Sequence, residues 1–388
     1  MPDQLDPRRI RRFRYVIASS EAGALGFSGA RSIIGTWVDA PPPSFRYSWG
    51  GVGALNLKLP RVFGNMDESN EGHMGTLDPG RLVEVYITTR HGLSGYDASR
   101  YSGLCYRGFL SEYEADLSSL RITVQPIARV ASEARIDSAV SGDTATSARS
   151  LTQTVSGLGW HAVNPDLSGA SLSATYTDVM LTAGLSDLAK ASGAAWRYGI
   201  TPSGQVIFTS AITLAATSHN LAYGGELLYA AAGKSDVDRR KRVIVKYTTT
   251  AGVNGKSVAK ADDWQATNPR DLVLTLSGQM DSAAAAQIAS AQLAERNRVL
   301  TVGTALVSYE RYDPTLFELG NRVRVRIPRR ILPTMIDTTD LESAFLTIAE
   351  IGYEARGLRL RFGRPAFDFT RQTTQAGNRL SNWITMQP

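Results

Sequence analysis

The 388-residue chain has a single cysteine, Cys105, and only four histidines. One cysteine excludes any intrachain disulfide, so the fold is held by burial and hydrogen bonding alone, as in proteins that mature in reducing compartments. His73, His91, His161 and His219 stand too far apart for a local metal motif, and no H-E-x-x-H is present. There is no apolar run near the roughly 18 residues that a membrane helix needs. The N-terminus "MPDQLDPRRIRRFRYVIASSEAG" begins like a signal peptide, but its apolar run, Tyr15 to Ala18, is too short for the hydrophobic region of one. It reads as an exposed basic arm. No nucleophile elbow or Walker A loop occurs; "GFSGA" and "GLSGY" miss the first, and Gly23, Gly26 and Gly29 do not form a dinucleotide fingerprint. Glu112 and Glu114 would share one face of a strand, as a glycosidase pair might, but so do many ordinary surface carboxylates. The expectation is no catalytic residue, no cofactor and no metal.

What is present is ordinary globular material, 43% hydrophobic and 20% charged, with a mild formal charge of +6. The first third alternates in strand fashion. "ALNLKLP" puts Leu55, Leu57 and Leu59 on one face, and "RLVEVYI" does the same with Val83, Val85 and Ile87. "YRGFLSEYEAD" and "LRITVQPI" read as an antiparallel pair. "APPPSFRYSWGG" presents Phe45, Tyr47 and Trp49, either as exposed loop aromatics or, from their strict alternation, as a strand. "SAVSGDTATSARSLTQTVSGLG" reads as a linker or weak helix. "YTDVMLTAGLSDLAKASG" predicts a helix with Leu181, Leu185 and Leu188 on one face, Thr177 as its cap and Gly193 at its end. "WRYGITPSGQVIF" predicts a hairpin. "RRKRVIVKYTTT" and "RDLVLTLSG" predict strands, and a helix is expected over about 281–298.

One stretch, "GNRVRVRIPRR" at 320–330, holds five arginines in eleven residues. It repeats an earlier pattern. Gly80, Val83, Val85 and Ile87 correspond to Gly320, Val323, Val325 and Ile327 at a constant offset of 240. Tyr113-Glu114-Ala115 matches Tyr353-Glu354-Ala355 at the same offset, whereas Leu120-Arg121-Ile122 matches Leu358-Arg359-Leu360 at 238, which suggests a second hairpin with a turn two residues shorter. A shared offset across a turn, a strand and a hairpin indicates an internal duplication. The predicted fold is mainly β (α+β): two related β-barrel domains with a small α/β module between them. The expected ranges are 1–135 for the first barrel with its basic arm, 136–235 for the module, 236–370 for the second barrel and 371–388 for a tether with a docking segment.

The duplication gives the arginines a simple role. Val323, Val325 and Ile327 pack inside, and Arg322, Arg324 and Arg326 face out. A nucleic-acid groove would interleave stacking aromatics, which this stretch lacks. A solvated face or an inter-subunit face, paired with carboxylates, fits it better. At the C-terminus, Leu380, Trp383 and Ile384 would share one side of a helical turn, which either folds back onto the second barrel or docks on a neighbour, and Trp383 and Ile384 join the candidate interface residues.

The order "GALNLKLPR … LDPGRLVEVYI … YRGFLSEYEADLSSLRITV", an α/β module, then "FELGNRVRVRIP … LTIAEIGYEARGLRLRFG" resembles the baseplate or tail-tip hub proteins of tailed bacteriophages. The resemblance covers nearly the whole chain. It implies a homotrimer that closes the tail tube and adapts a six-fold tube to a three-fold fibre or spike. The implied partners are a distal tail or tube ring protein, a tail fibre or spike, and the tape-measure protein. Membrane insertion, specific nucleic-acid binding and enzymatic activity are not expected, nor is a catalytic or receptor-binding extension after the second barrel. A distal-tail ring protein and a carbohydrate-binding adhesin are the alternatives.

Overall fold

The computed structural model describes residues 13–18, 33–40, 42–49, 51–60, 79–87, 103–115 and 119–363, apart from 167–170, 194–195, 211–213, 215–217, 223–224, 237–238, 250, 298–299 and 327–345. The fold is mainly β, with two curled half-barrel sheets and a smaller α/β module.

The first third supplies β1 (Phe13–Ala18), β2 (Ile33–Ala40), β3 (Phe45–Ser48), β4 (Gly51–Val52), β5 (Leu55–Pro60), β6 (Leu82–Ile87), β7 (Gly103–Ala115) and β8 (Ser119–Pro126). Six of these form the first sheet, in the order β2-β1-β6-β7-β8-β5. Its alternation is the one the sequence shows: Leu55, Leu57, Leu59, Val83, Val85 and Ile87 are all buried. The second sheet uses β14 (Ser218–Ala222), β15 (Leu227–Ser235), β19 (Leu300–Val307), β20 (Arg322–Arg326), β21 (Leu346–Glu354) and β22 (Gly357–Phe362), in the order β14-β20-β21-β22-β19-β15. β3 and β4 belong to it as well, because β3 pairs antiparallel with β21.

Four adjacent strands of one sheet repeat four of the other. β6, β7, β8 and β5 occupy the positions of β20, β21, β22 and β19. Leu82 opposes Phe109 and Val83 opposes Gly108, just as Arg322 opposes Thr347 and Val323 opposes Leu346. Gly80 and Gly320 make the same left-handed turn, with φ of 92° and 88°, a conformation that costs glycine little. The Gly80 N–H donates to the Leu110 carbonyl at 2.7 Å, and that of Gly320 to the Ile348 carbonyl at 2.8 Å. Even an irregularity is repeated: a bulge between Leu110 and Glu112 matches one between Ile348 and Glu350.

This register corrects one sequence match. Ile122 is equivalent to Leu360, and Tyr113 opposes Ile122 while Ile351 opposes Leu360. Tyr113 is therefore equivalent to Ile351, and Tyr113-Glu114-Ala115 does not correspond to Tyr353-Glu354-Ala355. The two tyrosines differ accordingly, 46% and 4% exposed. The hairpin turns are equivalent in length up to Ala115–Leu120 and Tyr353–Leu358; the two-residue difference falls earlier, in the connection before β7 and β21. The duplicates differ at both margins, for β2 extends only the first sheet and β15 only the second. β1 runs antiparallel to β6, whereas β14 runs parallel to β20.

One buried apolar cluster joins both sheets. Phe45 lies at its centre, stacked on Tyr353 and edge-on to Tyr106, while Phe13 of β1 meets Tyr309 edge-on. The aromatics of "PSFRYSWG" are thus core residues: Phe45, Tyr47 and Trp49 are all buried.

The module has a second core. It contains α1 (Arg129–Glu133), β9 (Arg135–Asp143), α2 (Thr144–Gln153), β10 (Gly159–Trp160), β11 (Ser171–Met180), α3 (Leu181–Ala191), β12 (Trp196–Ile200) and β13 (Gln205–Ser210). It also takes in β16 (Arg242–Thr248), β17 (Asn254–Lys260), β18 (Asp271–Gln279) and α4 (Ser282–Arg296). The stretch read as a linker or weak helix is β9 followed by α2, whose first turn is capped by the Asp143 carboxylate, which accepts from the Ala145 and Thr146 N–H groups. Thr177 does not cap α3; it lies in β11, which runs straight into the helix at Met180. Leu181, Leu185 and Leu188 are fully buried, as their spacing predicts. β12 and β13 form the expected hairpin.

Candidate interface surfaces

The arginine strand stands at an inner position of the second sheet, between β14 and β21. The Gly320 turn sets its phase, so Val323 and Val325 point into the core with no exposure. Arg322 is exposed and Arg324 half-buried on the opposite face. Ser218, Asn220 and Ala222 of β14 lie beside Arg322, Arg324 and Arg326 in register. The side chain of Arg326 lies outside the described residues, as do Trp383, Ile384 and Leu380.

The same position in the first sheet carries opposite charge. Glu84 is the equivalent of Arg324, yet it is only 4% exposed. Arg107 closes on it at 2.8 Å through both Nε and Nη2, and the Tyr86 hydroxyl donates to it at 2.7 Å. The Arg14 guanidinium lies over the Tyr86 ring. Burial first, and then the bond to Glu84, push the Tyr86 phenol up to about 12. Glu84 is thus neutralised by Arg107 within the first sheet.

Further along the second sheet, charges are laddered across strands. Arg359 makes a two-pronged pair with Glu354 at 2.7 and 3.0 Å, Arg46 approaches Glu354 at 3.6 Å, and Arg361 approaches Glu350 at 3.5 Å. At the junction of the module and the second sheet, His161 Nε2 lies 3.2 Å from Glu318, and His161 Nδ1 accepts from the Val163 N–H. A cavity of about 200 Å³ beside them is lined by Tyr47, Cys105, Ser203 and Tyr353.

The described candidates for reaction chemistry lie apart. Glu112 and Glu114 are exposed neighbours on β7, and Glu114 pairs with Arg121. The Cys105 thiol is buried, donates to the Val85 carbonyl, and is pushed well above its ordinary range by burial. Among the described residues no cluster of His, Cys, Asp and Glu could hold a metal ion, and no helix is long and apolar enough to cross a membrane.

No protein-family model matches the sequence, and no curated protein is detectably similar to it. Solved structures do match. The 43 kDa tail protein of prophage MuSo2 from Shewanella oneidensis superposes with a TM-score of 0.54 at 15% identity, covering 91% of this chain and 98% of that one. A tail protein from Neisseria meningitidis MC58 gives 0.54 at 11% identity, covering 91% and 96%. The chain has the fold of phage tail proteins, over almost the full length of both.

Proposed function

We propose that this chain is a structural component of a phage tail tip or baseplate, a trimeric hub that closes the tail tube and adapts its six-fold symmetry to a three-fold fibre or spike. The observation that carries this is the duplication: two half-barrel sheets in one chain share strand order, register, turn and bulge. Three such chains present six similar sheets, which a six-fold ring can meet with one kind of interface. The opposite side of the ring stays three-fold. A ring protein with six copies has no need of an internal repeat, which disfavours the distal-tail alternative. The adhesin alternative loses its candidate residues, because Phe45, Tyr47 and Trp49 are buried.

In this reading the protein acts within the virion tail, catalyses no reaction and needs no cofactor. Its partners are two further copies of itself, a distal tail or tube ring protein, a fibre or spike, and the tape-measure protein. The Arg322, Arg324 and Arg326 face and the Trp383–Ile384 segment are its proposed contact surfaces, with neither a membrane nor a specific nucleic acid among their targets. Chemical cross-linking of assembled particles tests the copy number. The cross-linked ladder of this chain should stop at three, about 126 kDa from its 42.0 kDa mass. A ladder running to six overturns the reading.

A further inference from the structure

The repeat exposes a difference between the two sheets. After the shared bulge, β7 and β21 both leave the strand beside them, since β6 pairs only as far as Phe109 and β20 only as far as Thr347. Beyond that point β21 does not present a bare edge. Phe45–Ser48 lies along it, with Ser48 opposite Glu350, Tyr47 opposite Ile351, Arg46 opposite Gly352 and Phe45 opposite Tyr353. The equivalent edge of β7, Glu112–Ala115, carries no strand among the described residues. The side chains report the same contrast: Ile351 has no exposure and its equivalent Tyr113 is 46% exposed.

The chain does not fill this edge by symmetry. β5 and β19 are equivalent at an offset of 248, from Leu55 opposite Val124 and Gly303 opposite Phe362. The same offset sets Phe45–Ser48 against residues 293–296, which close α4 and are helical. Among the described residues, the second half of the chain therefore has no counterpart of Phe45–Ser48 to return to the first.

We propose that the β7 edge at Glu112–Ala115 is a docking site for an extended segment of another protein chain, which adds there as an antiparallel strand. The filled edge shows what such a segment looks like. Phe45 and Tyr47 turn inward, while Arg46 crosses the face of Gly352 and reaches Glu354. At the open edge Glu114 takes the place of Gly352. Glu112 makes no ion pair among the described residues. The incoming strand accordingly carries an apolar or aromatic residue against Tyr113, with basic residues on either side facing Glu112 and Glu114. Main-chain hydrogen bonds supply the affinity and the alternating side chains the selectivity. The acidic side chains also discourage pairing with the wrong strand, since an uncharged edge would accept any neighbour. The proposal does not depend on how many copies form the ring.

The test uses the full chain and a fluorescein-labelled peptide of its own sequence, PSFRYSWG (residues 43–50), read by fluorescence anisotropy. The peptide should bind saturably. Glu112→Lys together with Glu114→Lys should weaken it about tenfold or more, with the melting temperature of the chain unchanged. Methylating the backbone nitrogens of alternate peptide residues should abolish binding in one parity and spare it in the other, as only one parity faces the edge. No binding up to about 1 mM overturns the proposal. Binding that ignores the two lysine substitutions also overturns it, because the peptide would then be displacing Phe45–Ser48 from the second sheet. Equal tolerance of both methylation patterns overturns it too.

Discussion

Phe45 stacks face to face on Tyr353, with ring centroids 4.6 Å apart and planes 13° from parallel, and it meets Tyr106 of the other sheet edge-on at 4.8 Å. A strand early in the chain therefore sits between the two halves of the duplication. Phe45→Ala removes the ring from the centre of the shared core and should cost about 3–5 kcal/mol. Urea unfolding followed by tryptophan fluorescence should show a lower midpoint and one transition. Phe45→Leu should recover much of the loss, as a volume-conserving change does.

The arginine face should behave differently. Changing Arg322, Arg324 and Arg326 together to Gln leaves Val323 and Val325 untouched, so each change should alter stability by no more than about 0.5 kcal/mol. Assembly of the chain into particles should fall, and the loss should grow smaller as salt is raised in both proteins, because screening removes what the charges contribute. Tight DNA binding with a steep salt slope would return the nucleic-acid reading.

Several of these features are legible in the sequence. Period-two alternation identifies β5, β6 and β20 and the inward phase of Val83 and Val323, since alternation follows from the pleat itself. The Gly80 and Gly320 turns are legible because a left-handed φ favours glycine. Sheet membership is not. Alternation shows that Phe45 and Tyr47 share a face but not which strand lies beside them, and Phe45–Ser48 joins β21 some three hundred residues away. The two-residue difference in length before β7 and β21 is equally silent, and it is what sets Tyr113 against Ile351. Matching letters placed Tyr113 on Tyr353; hydrogen-bond register does not. Thr177 looked like a cap because hydroxyl residues favour that position, yet β11 continues through it to Met180. Of the interface candidates, the outward phase of Arg322 and Arg324 was readable from the valines between them. The buried Glu84–Arg107 pair was not, because it depends on a partner in another strand.

A pH titration of stability should find Asp271. Its carboxylate accepts from Arg242 and from the Trp264 indole, and the hydrogen bond from Arg242 is the main cause that holds it below the usual carboxylate range. A depressed carboxyl contributes stability above its unfolded value, about 3.9, and loses it as pH falls through the lower folded value. Asp271→Asn should therefore flatten the fall in stability below about pH 4 and lower stability at neutral pH. Denaturant midpoints at a series of pH values check both. Asp236 and Asp263 are depressed in the same direction, so some slope should remain.

Deleting residues 378–388 separates docking from folding. In the proposed function Trp383 and Ile384 contact a neighbouring subunit, so the shortened chain should melt at the temperature of the full chain but enter particles poorly. A large fall in melting temperature with normal assembly would assign the segment to the chain's own core.

The central claim is that one chain supplies two near-equivalent sheets so that three chains can face six. A reconstruction of the particle end by electron cryomicroscopy, without imposed six-fold symmetry, measures this directly. The claim predicts three copies in the ring, with sheets containing Val83 and sheets containing Val323 alternating about 60° apart against the six-fold tube. Six copies in the ring, or sheets of one kind alone facing the tube, would contradict it.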